Sequence, residues 1–146
     1  MGMKMKRQSR ALVALGLAIS IALSGCTQKK SLEEHLTAGQ AAFDSGQYSL
    51  AIVELKNALQ LNSQNAKVRY DLGRSYLYIG DYLSAEKELK RAKEFGYDST
   101  FVIPTLAKTL LNLHKFEELT KLVEGDAENL ADDAFIEVII WAGIAK

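Results

Sequence analysis

The 146-residue sequence predicts an all-α fold, a solenoid of stacked helical hairpins that follows a cleaved signal peptide. Two observations predict it. A block that begins at Gly39 recurs 34 residues later, from Gly73, with small and aromatic residues at the same offsets. Ahead of both copies stands a basic segment followed by an uncharged apolar run, which is the pattern of an export signal.

The N-terminal segment predicts a secretory signal peptide over residues 1–25. The first ten positions hold four basic residues and no acidic one, and the thirteen residues from Ala11 to Leu23 carry no charge. A transmembrane helix is the rival interpretation, but crossing about 30 Å of hydrocarbon takes about 20 apolar residues. The run is shorter than that, and Lys29 and Lys30 follow it, so the signal peptide is favoured.

The one cysteine of the chain lies at the end of this run. Leu23, Ser24, Gly25 and Cys26 resemble the lipobox of bacterial lipoproteins. The resemblance implies cleavage before Cys26, a diacylglycerol on its thiol, and a short linker over residues 26–31. Each buried methylene of an acyl chain contributes about 0.8 kcal/mol, so two or three chains attach a protein lastingly to a membrane. The alternative is an unmodified cysteine near an ordinary cleavage site.

Removal of the signal changes the charge of the chain. It takes away four basic residues and no acidic one, so 18 basic residues become 14 against 18 acidic ones, a net charge of −4. Nucleic-acid binding calls for a basic excess, so no nucleic acid is expected as a partner. An acylated Cys26 leaves no thiol for a disulfide or a zinc site. Thr27 stands where aspartate retains enterobacterial lipoproteins at the inner membrane, which favours an exported protein anchored in the outer membrane and facing the periplasm.

A period of 34 residues defines the rest of the chain. Such a period, with small and aromatic residues at matched offsets, resembles the tetratricopeptide repeat (TPR), a helical hairpin whose copies stack into a right-handed superhelix. Gly39 and Gly73 are expected where the two helices pack closely, and Gly46 and Gly80 in the turn, where a positive φ favours glycine. Six pairs match: Gly39 with Gly73, Gly46 with Gly80, Tyr48 with Tyr82, Ala51 with Ala85, Leu55 with Leu89, and Ala58 with Ala92.

The register predicts TPR 1 over residues 32–65, TPR 2 over residues 66–99 and a degenerate TPR 3 over residues 100–133. Residues 134–146 predict the first helix of an incomplete fourth repeat. Its apolar face would lack a second helix, and repeats bury such faces against their neighbours. The sequence is therefore expected to be the N-terminal piece of a longer array. The alternative is a natural end, with this face partly exposed or paired with another subunit.

Local signals support these helices. Ser31 is expected to cap the first helix, with Glu34 three residues later. In the third repeat His114 replaces the turn glycine, while Ala107 and Phe116 keep their places. Pro104 is expected in the first turn of its helix, where its missing N–H costs little.

No catalytic constellation is found, and the chain is expected not to be an enzyme. His35 and His114 lie in different repeats, without cysteines or a carboxylate cluster at the spacing of metal ligands. The acidic pairs are most simply solvated helix faces. No catalytic residue, metal or cofactor is predicted, apart from the covalent lipid on Cys26.

The remaining functional feature is a surface. The first helices of TPR arrays line a concave groove, and Lys67, Arg74 and Lys108 between aromatic rings suit an extended acidic peptide or an anionic sugar. The alternative is that these are ordinary solvent-facing side chains. The lysine-and-asparagine clamp of chaperone-binding TPRs does not fit, because Leu36 and Gln40 hold its places. The resemblance places nine residues in the groove: Gln40, Phe43, Lys67, Tyr70, Arg74, Tyr78, Phe101, Lys108 and Asn112.

Two strings sharpen the resemblance. AIVELKNALQ and LGRSYLYIGDYLSAEKELKRA, following a lipobox, are similar to the PEP-CTERM system TPR-repeat lipoproteins. That resemblance implies a membrane-anchored periplasmic scaffold for protein–protein interactions in exopolysaccharide export or exosortase-dependent protein sorting, with proteins or peptides of that machinery as partners. Two alternatives stay open: a pilotin-like or outer-membrane-assembly TPR lipoprotein, and the N-terminal TPR region of a glycosyltransferase.

Overall fold

The computed structural model describes residues 29–126, and these residues form six α-helices. Each helix packs against the next along the chain, so the helices form three TPR-like hairpins, and the all-α prediction is confirmed for this part of the chain. The helices are α1 (Leu32–Asp44), α2 (Tyr48–Leu61), α3 (Ala66–Tyr78), α4 (Tyr82–Glu94), α5 (Ser99–Asn112) and α6 (Phe116–Asp126).

Side-chain caps explain where the helices begin. The predicted cap at Ser31 is confirmed: its hydroxyl accepts from the Glu34 backbone N–H at 3.2 Å, and the Glu34 carboxylate accepts from the Ser31 N–H at 2.6 Å. This reciprocal pair satisfies two N–H groups that a helix start otherwise leaves without partners. Asn65, Asp81 and Asp98 likewise accept from the first turns of α3, α4 and α5.

Glycine sets the distance between the helices of the first two hairpins, as predicted. A Cβ added at Gly39 would lie 2.8 Å from Leu55 Cγ, and one at Gly73 would lie 2.7 Å from Leu89 Cγ. Both leucines are fully buried. Contacts under 3 Å are shorter than van der Waals packing allows, so a larger residue at these positions must push the helices apart or displace the leucine.

The turns inside the three hairpins share a left-handed residue. Gly46 has φ 74° and Gly80 has φ 80°, which confirms the expected turn conformation. His114 takes the same place in the third hairpin with φ 57°, a conformation that a residue with a Cβ adopts at a cost. Gly96, with φ 79° between α4 and α5, serves a turn that the repeat comparison did not identify.

Two apolar clusters form the core. The first joins α1 and α2 to Val68 and Leu72 of α3, and the second joins Tyr70 of α3 to α4, α5 and α6. Tyr76 of α3 packs against both clusters, so its ring joins the first hairpin to the rest of the stack.

One local prediction is wrong. Pro104 lies inside α5, at its sixth residue, and not in its first turn, because α5 begins at Ser99 behind the Asp98 cap. The proline therefore removes one hydrogen bond from the helix interior.

Several predicted features lie outside the described residues: the signal peptide, the lipobox with Cys26, and the helix over residues 134–146. Within residues 29–126, none of the helices has the length and apolar character needed to cross a membrane.

Candidate ligand-binding groove

The nine predicted groove residues lie on the first helices of the three hairpins, which are α1, α3 and α5. The structure brings part of this set together around a cavity of about 210 Å³ between α1 and α3. Gln40 and Phe43 line it from α1 and Arg74 from α3, and two acidic residues that the sequence analysis did not select, Asp44 and Asp71, complete the lining.

Asp71 is the central polar group of this cavity. Its side chain is only 8% exposed, and its Oδ2 accepts from Gln40 Nε2 at 3.2 Å and from Lys67 Nζ at 3.0 Å. Arg74 Nη1 lies 3.8 Å from Asp71 Oδ1. One buried carboxylate therefore balances much of the charge of two predicted groove cations. The i, i+4 spacing to Lys67 and the i, i+3 spacing to Arg74 are the sequence signals that point to it.

The guanidinium group of Arg74 lies over two aromatic rings. Its guanidinium carbon lies 4.2 Å from the centre of the Phe43 ring and 5.5 Å from that of Tyr70. Cation–π contacts of this kind orient the planar group and leave its N–H edge directed elsewhere. Within the described residues, the Arg74 guanidinium donates no hydrogen bond to the protein and its ion pair with Asp71 is long, at 3.8 Å, so the group can also bind an acceptor that enters the cavity.

Aromatic residues continue from Arg74 in both directions. On one side the rings of Phe43, Tyr48 and Tyr78 form a cluster with centroid separations of 4.8–5.2 Å, and Tyr78 is 56% exposed. Rings at these distances stack or meet edge to face, which gives the cluster a fixed shape.

On the other side, Tyr70 stacks on Tyr97 at 4.6 Å, and Phe101 lies 6.4 Å from Tyr70 with 54% of its surface exposed. Tyr97 was not selected from the sequence, because it lies between two helices and outside the repeat positions compared. Burial raises the pKa of its hydroxyl, so Tyr97 is uncharged at neutral pH. The groove thus has an exposed ring at each end and an arginine between them.

Three of the nine predicted groove residues do not offer a binding surface at the cavity. Tyr70 is only 7% exposed and belongs to the core, so it supports Arg74 and offers little surface to a ligand. Lys108 and Asn112 are exposed on α5 and do not line the cavity, and Asn112 Nδ2 donates to the Lys108 backbone carbonyl at 2.7 Å.

His35 lies outside this groove, in a contact between α1 and α2. His35 Nδ1 lies 2.6 Å from Glu54 Oε2, and Glu54 Oε1 accepts from Lys30, so this histidine joins α1 to α2. Hydrogen bonds from His35 and Lys30 hold the pKa of Glu54 below its usual value. Among residues 29–126, no three side chains of the His, Cys, Asp or Glu types come together in a way that could hold a metal ion.

Stacked helical hairpins whose first helices carry a ligand-sized cavity define a helical repeat scaffold. The family comparison agrees with this geometry: residues 42–100 match the tetratricopeptide repeat family. Residues 42–100 are thus similar to tetratricopeptide repeats, and a TPR segment implies a scaffold for protein–protein interactions.

A similar mouse protein extends the comparison. Superkiller complex protein 3 of Mus musculus is 30% identical over 100 residues, which are 66% of this chain and 6% of the mouse protein. The likeness therefore concerns a run of repeats and a small part of that relative.

Proposed function

We propose that this protein is a membrane-anchored periplasmic TPR scaffold without enzymatic activity or a cofactor, and that it binds proteins of an exopolysaccharide-export or exosortase-dependent PEP-CTERM sorting system. The TPR match over residues 42–100 supports the scaffold role. The lipobox-like Leu23-Ser24-Gly25-Cys26 supports a lipid anchor in the outer membrane, and the similarity to PEP-CTERM system lipoproteins supports the choice of system.

The observation that carries the binding role is Arg74. Its guanidinium lies against the Phe43 ring, and Arg74 lines a cavity of about 210 Å³. A planar guanidinium binds a carboxylate through two parallel hydrogen bonds, which fixes orientation as well as position. Arg74 is therefore the residue at which a carboxylate of an extended peptide binds.

The charges around the cavity restrict the class of peptide that can bind there. Arg74, Asp44 and Asp71 line the cavity, and Lys67 pairs with Asp71 beside it, so the two cations balance the two carboxylates. A long acidic run would gain little from this balance and would meet the two aspartates. The groove favours a peptide with one carboxylate at Arg74 and apolar or aromatic side chains that reach the exposed rings of Tyr78 and Phe101.

The binding test compares two charge reversals. The mature protein is used to capture partners from a periplasmic extract of the bacterium that produces it, and captured proteins are identified by mass spectrometry. Arg74→Glu should lose the partners, and Arg74→Lys should retain part of the binding, because lysine keeps the charge but not the planar fork. Lys87→Glu makes the same charge change at an exposed position of α4 and serves as the control. Capture by Arg74→Glu equal to the wild type would refute the groove.

The anchor has a separate test. The wild-type protein should fractionate with membranes, and Cys26→Ser should move to the soluble periplasmic fraction, because the acyl chains supply the membrane affinity. A Cys26→Ser protein that still fractionates with membranes would refute lipid anchoring and leave the groove proposal standing.

A further inference from the structure

A second cavity, of about 390 Å³, lies between α4 and α6 with α5 beneath it. Leu106 and Leu110 of α5 form its buried floor, and Leu122 of α6 forms part of its wall. At 3.6 residues per turn, Leu106 and Leu110 lie on the side of α5 opposite to Phe101 and Lys108. The cavity is therefore on the other face of the stack from the groove that contains Arg74.

The repeat register explains why this cavity exists. Between α2 and α4 the residue equivalent to Leu110 is Tyr76, which packs against both core clusters with Lys56 Nζ 5.9 Å from the centre of its ring. Arg91 likewise corresponds to Gly125, and a Cβ at Gly125 would meet nothing within 4 Å. Tyr76 and Arg91, at the boundary between the first and second hairpins, are thus replaced by the smaller Leu110 and Gly125 at the boundary between the second and third. The space that remains is suited to an aromatic ring.

The rim of the cavity is basic. Lys90, Lys93 and Lys121 line it together with one carboxylate, Glu118. Lys90 donates to Glu86 at 2.6 Å and to Glu118 at 2.7 Å, while Lys121 is exposed on α6. The described rim therefore carries more positive than negative charge around an apolar floor, and it attracts carboxylates that accompany an apolar group.

We propose that this cavity is a docking site for an acidic segment of a partner protein, which inserts one aromatic side chain over Leu110. The ring takes the place that Tyr76 fills at the preceding boundary, and flanking carboxylates face Lys121 and Lys90. An anchor in a desolvated pocket with a charged rim is the usual form of an interaction hot spot. Because this site and the Arg74 groove lie on opposite faces, the scaffold can hold two partners at once.

The probe is a labelled peptide with one phenylalanine between two pairs of aspartates, and the protein is the full mature chain with Cys26→Ser. Binding is measured by fluorescence anisotropy. The phenylalanine peptide should bind, and the same peptide with alanine in its place should bind at least tenfold more weakly. Lys121→Glu should weaken binding about tenfold, while Lys87→Glu, the equivalent change one repeat earlier, should leave the Kd unchanged.

Two variants fill the cavity from different helices. Leu110→Tyr restores the ring of the preceding boundary, and Gly125→Leu adds an apolar side chain where a Cβ meets open space. Both should reduce binding at least tenfold, with circular dichroism confirming that each variant is folded. If Leu110→Tyr fails to fold, Gly125→Leu still tests the proposal, because residue 125 is on the exposed side of α6.

Four results would overturn the proposal. The first is an absence of phenylalanine-peptide binding to the starting protein, and the second is unchanged binding by Gly125→Leu. The third is loss of binding in Arg74→Glu, which would place the peptide in the opposite groove. The fourth is occupation of the cavity by the chain itself. Binding that appears only after Phe135→Ala, a change in the 134–146 segment, would identify that segment as the occupant, and self-association that Lys121→Glu abolishes would identify a second copy.

Discussion

The second hairpin, α3–α4, and the third, α5–α6, share one register but use different residues at the positions that determine packing. At the close contact between the two helices of a hairpin, the second hairpin has a glycine and the third has an alanine. Where the second hairpin has a buried ion pair, the third has two apolar residues. The residue that packs against the glycine or alanine also differs between the two hairpins. The corresponding residues are Gly73 and Ala107, Leu89 and Val123, Arg69 and Ile103, Glu88 and Leu122, Tyr76 and Leu110, and Gly80 and His114.

This difference indicates that residues in contact with each other change together from one repeat to the next. A wider residue on the first helix accompanies a narrower one on the second, and a buried cation accompanies a buried anion. Single substitutions from one hairpin to the other should therefore be costly, while paired ones should be tolerated.

The largest expected effect concerns the buried ion pair. Arg69 donates to the Glu88 carboxylate and, at 2.7 and 3.1 Å, to the Ser63 backbone carbonyl, and both charged side chains are buried. Glu88→Leu, the third hairpin's residue, should lower the free energy of unfolding by about 3–5 kcal/mol, because it leaves the arginine charge buried without its partner.

The paired substitution is the control for this prediction. Arg69→Ile combined with Glu88→Leu should recover most of that loss, because no charge then remains buried. Urea denaturation followed by circular dichroism measures all three proteins. A double variant as unstable as Glu88→Leu would show that the unpaired arginine charge does not cause the loss and that the hairpins differ for another reason.

The second effect concerns the distance between the helices. Gly73→Ala should destabilise the protein by about 1–3 kcal/mol, because the new methyl group overlaps Leu89. Adding Leu89→Val, which reproduces the third hairpin's pair, should restore part of the loss. Thermal unfolding measures both variants.

Gly125→Ala is the matched control, since the same substitution there meets open space within a helix. It should stabilise the protein by about 0.5–1 kcal/mol. If both glycine substitutions stabilise the protein, helix propensity and not close packing determines the result.

The sequence predicted what recurs and missed what does not. Gly39, Gly73, Gly46 and Gly80 repeat at 34 residues because close packing and the turns require them in the first two hairpins, and these hairpins follow from those positions. Asp71 occurs in one repeat and has no matching partner in the others, so the period gives no signal for it.

The ion pair between Arg69 and Glu88 was missed for a related reason. The two residues are 19 positions apart on different helices, and only the packing of α3 on α4 brings them together. Composition and periodicity cannot distinguish such buried charges from the exposed charges of the same helices. Pro104 was misplaced because the Asp98 cap, which precedes the repeat boundary, decides where α5 begins.

A smaller effect concerns the junction between the two hairpins and depends on pH. Glu86 of α4 accepts from Lys115 at 2.8 and 2.9 Å and from Lys90 at 2.6 Å. Burial alone would raise the pKa of Glu86, but these hydrogen bonds outweigh it and hold the pKa below its usual value of 4.5. The carboxylate therefore stabilises the fold above pH 4.5, and this contribution is lost as the pH falls through the lowered pKa.

Glu86→Gln isolates this contribution. At pH 7 the variant should be less stable than the wild type, and the difference in the free energy of unfolding should shrink as the pH falls below 4.5. Urea denaturation at several pH values between 3 and 7 measures it. A difference that stays constant across this range would show that the network around Glu86 depends on packing and not on charge.

The smallest effect concerns the turn of the third hairpin. His114 has φ 57°, where the first two hairpins have glycine, and a left-handed conformation costs a residue with a Cβ about 1–2 kcal/mol. His114→Gly removes that strain but gives the unfolded chain more freedom, which costs about 0.5–1 kcal/mol. It also removes the edge contact of the imidazole with Phe116, whose ring centre lies 5.8 Å away.

The net change for His114→Gly should be a gain in stability of less than about 1 kcal/mol, measured by thermal unfolding. Gly80→His, the reverse exchange in the second hairpin, should lower the stability by more than that, because it places a residue with a Cβ at φ 80°. If His114→Gly destabilises the protein, the contact with Phe116 outweighs the backbone strain. The histidine would then be, like the other differences between the hairpins, one half of an exchanged pair.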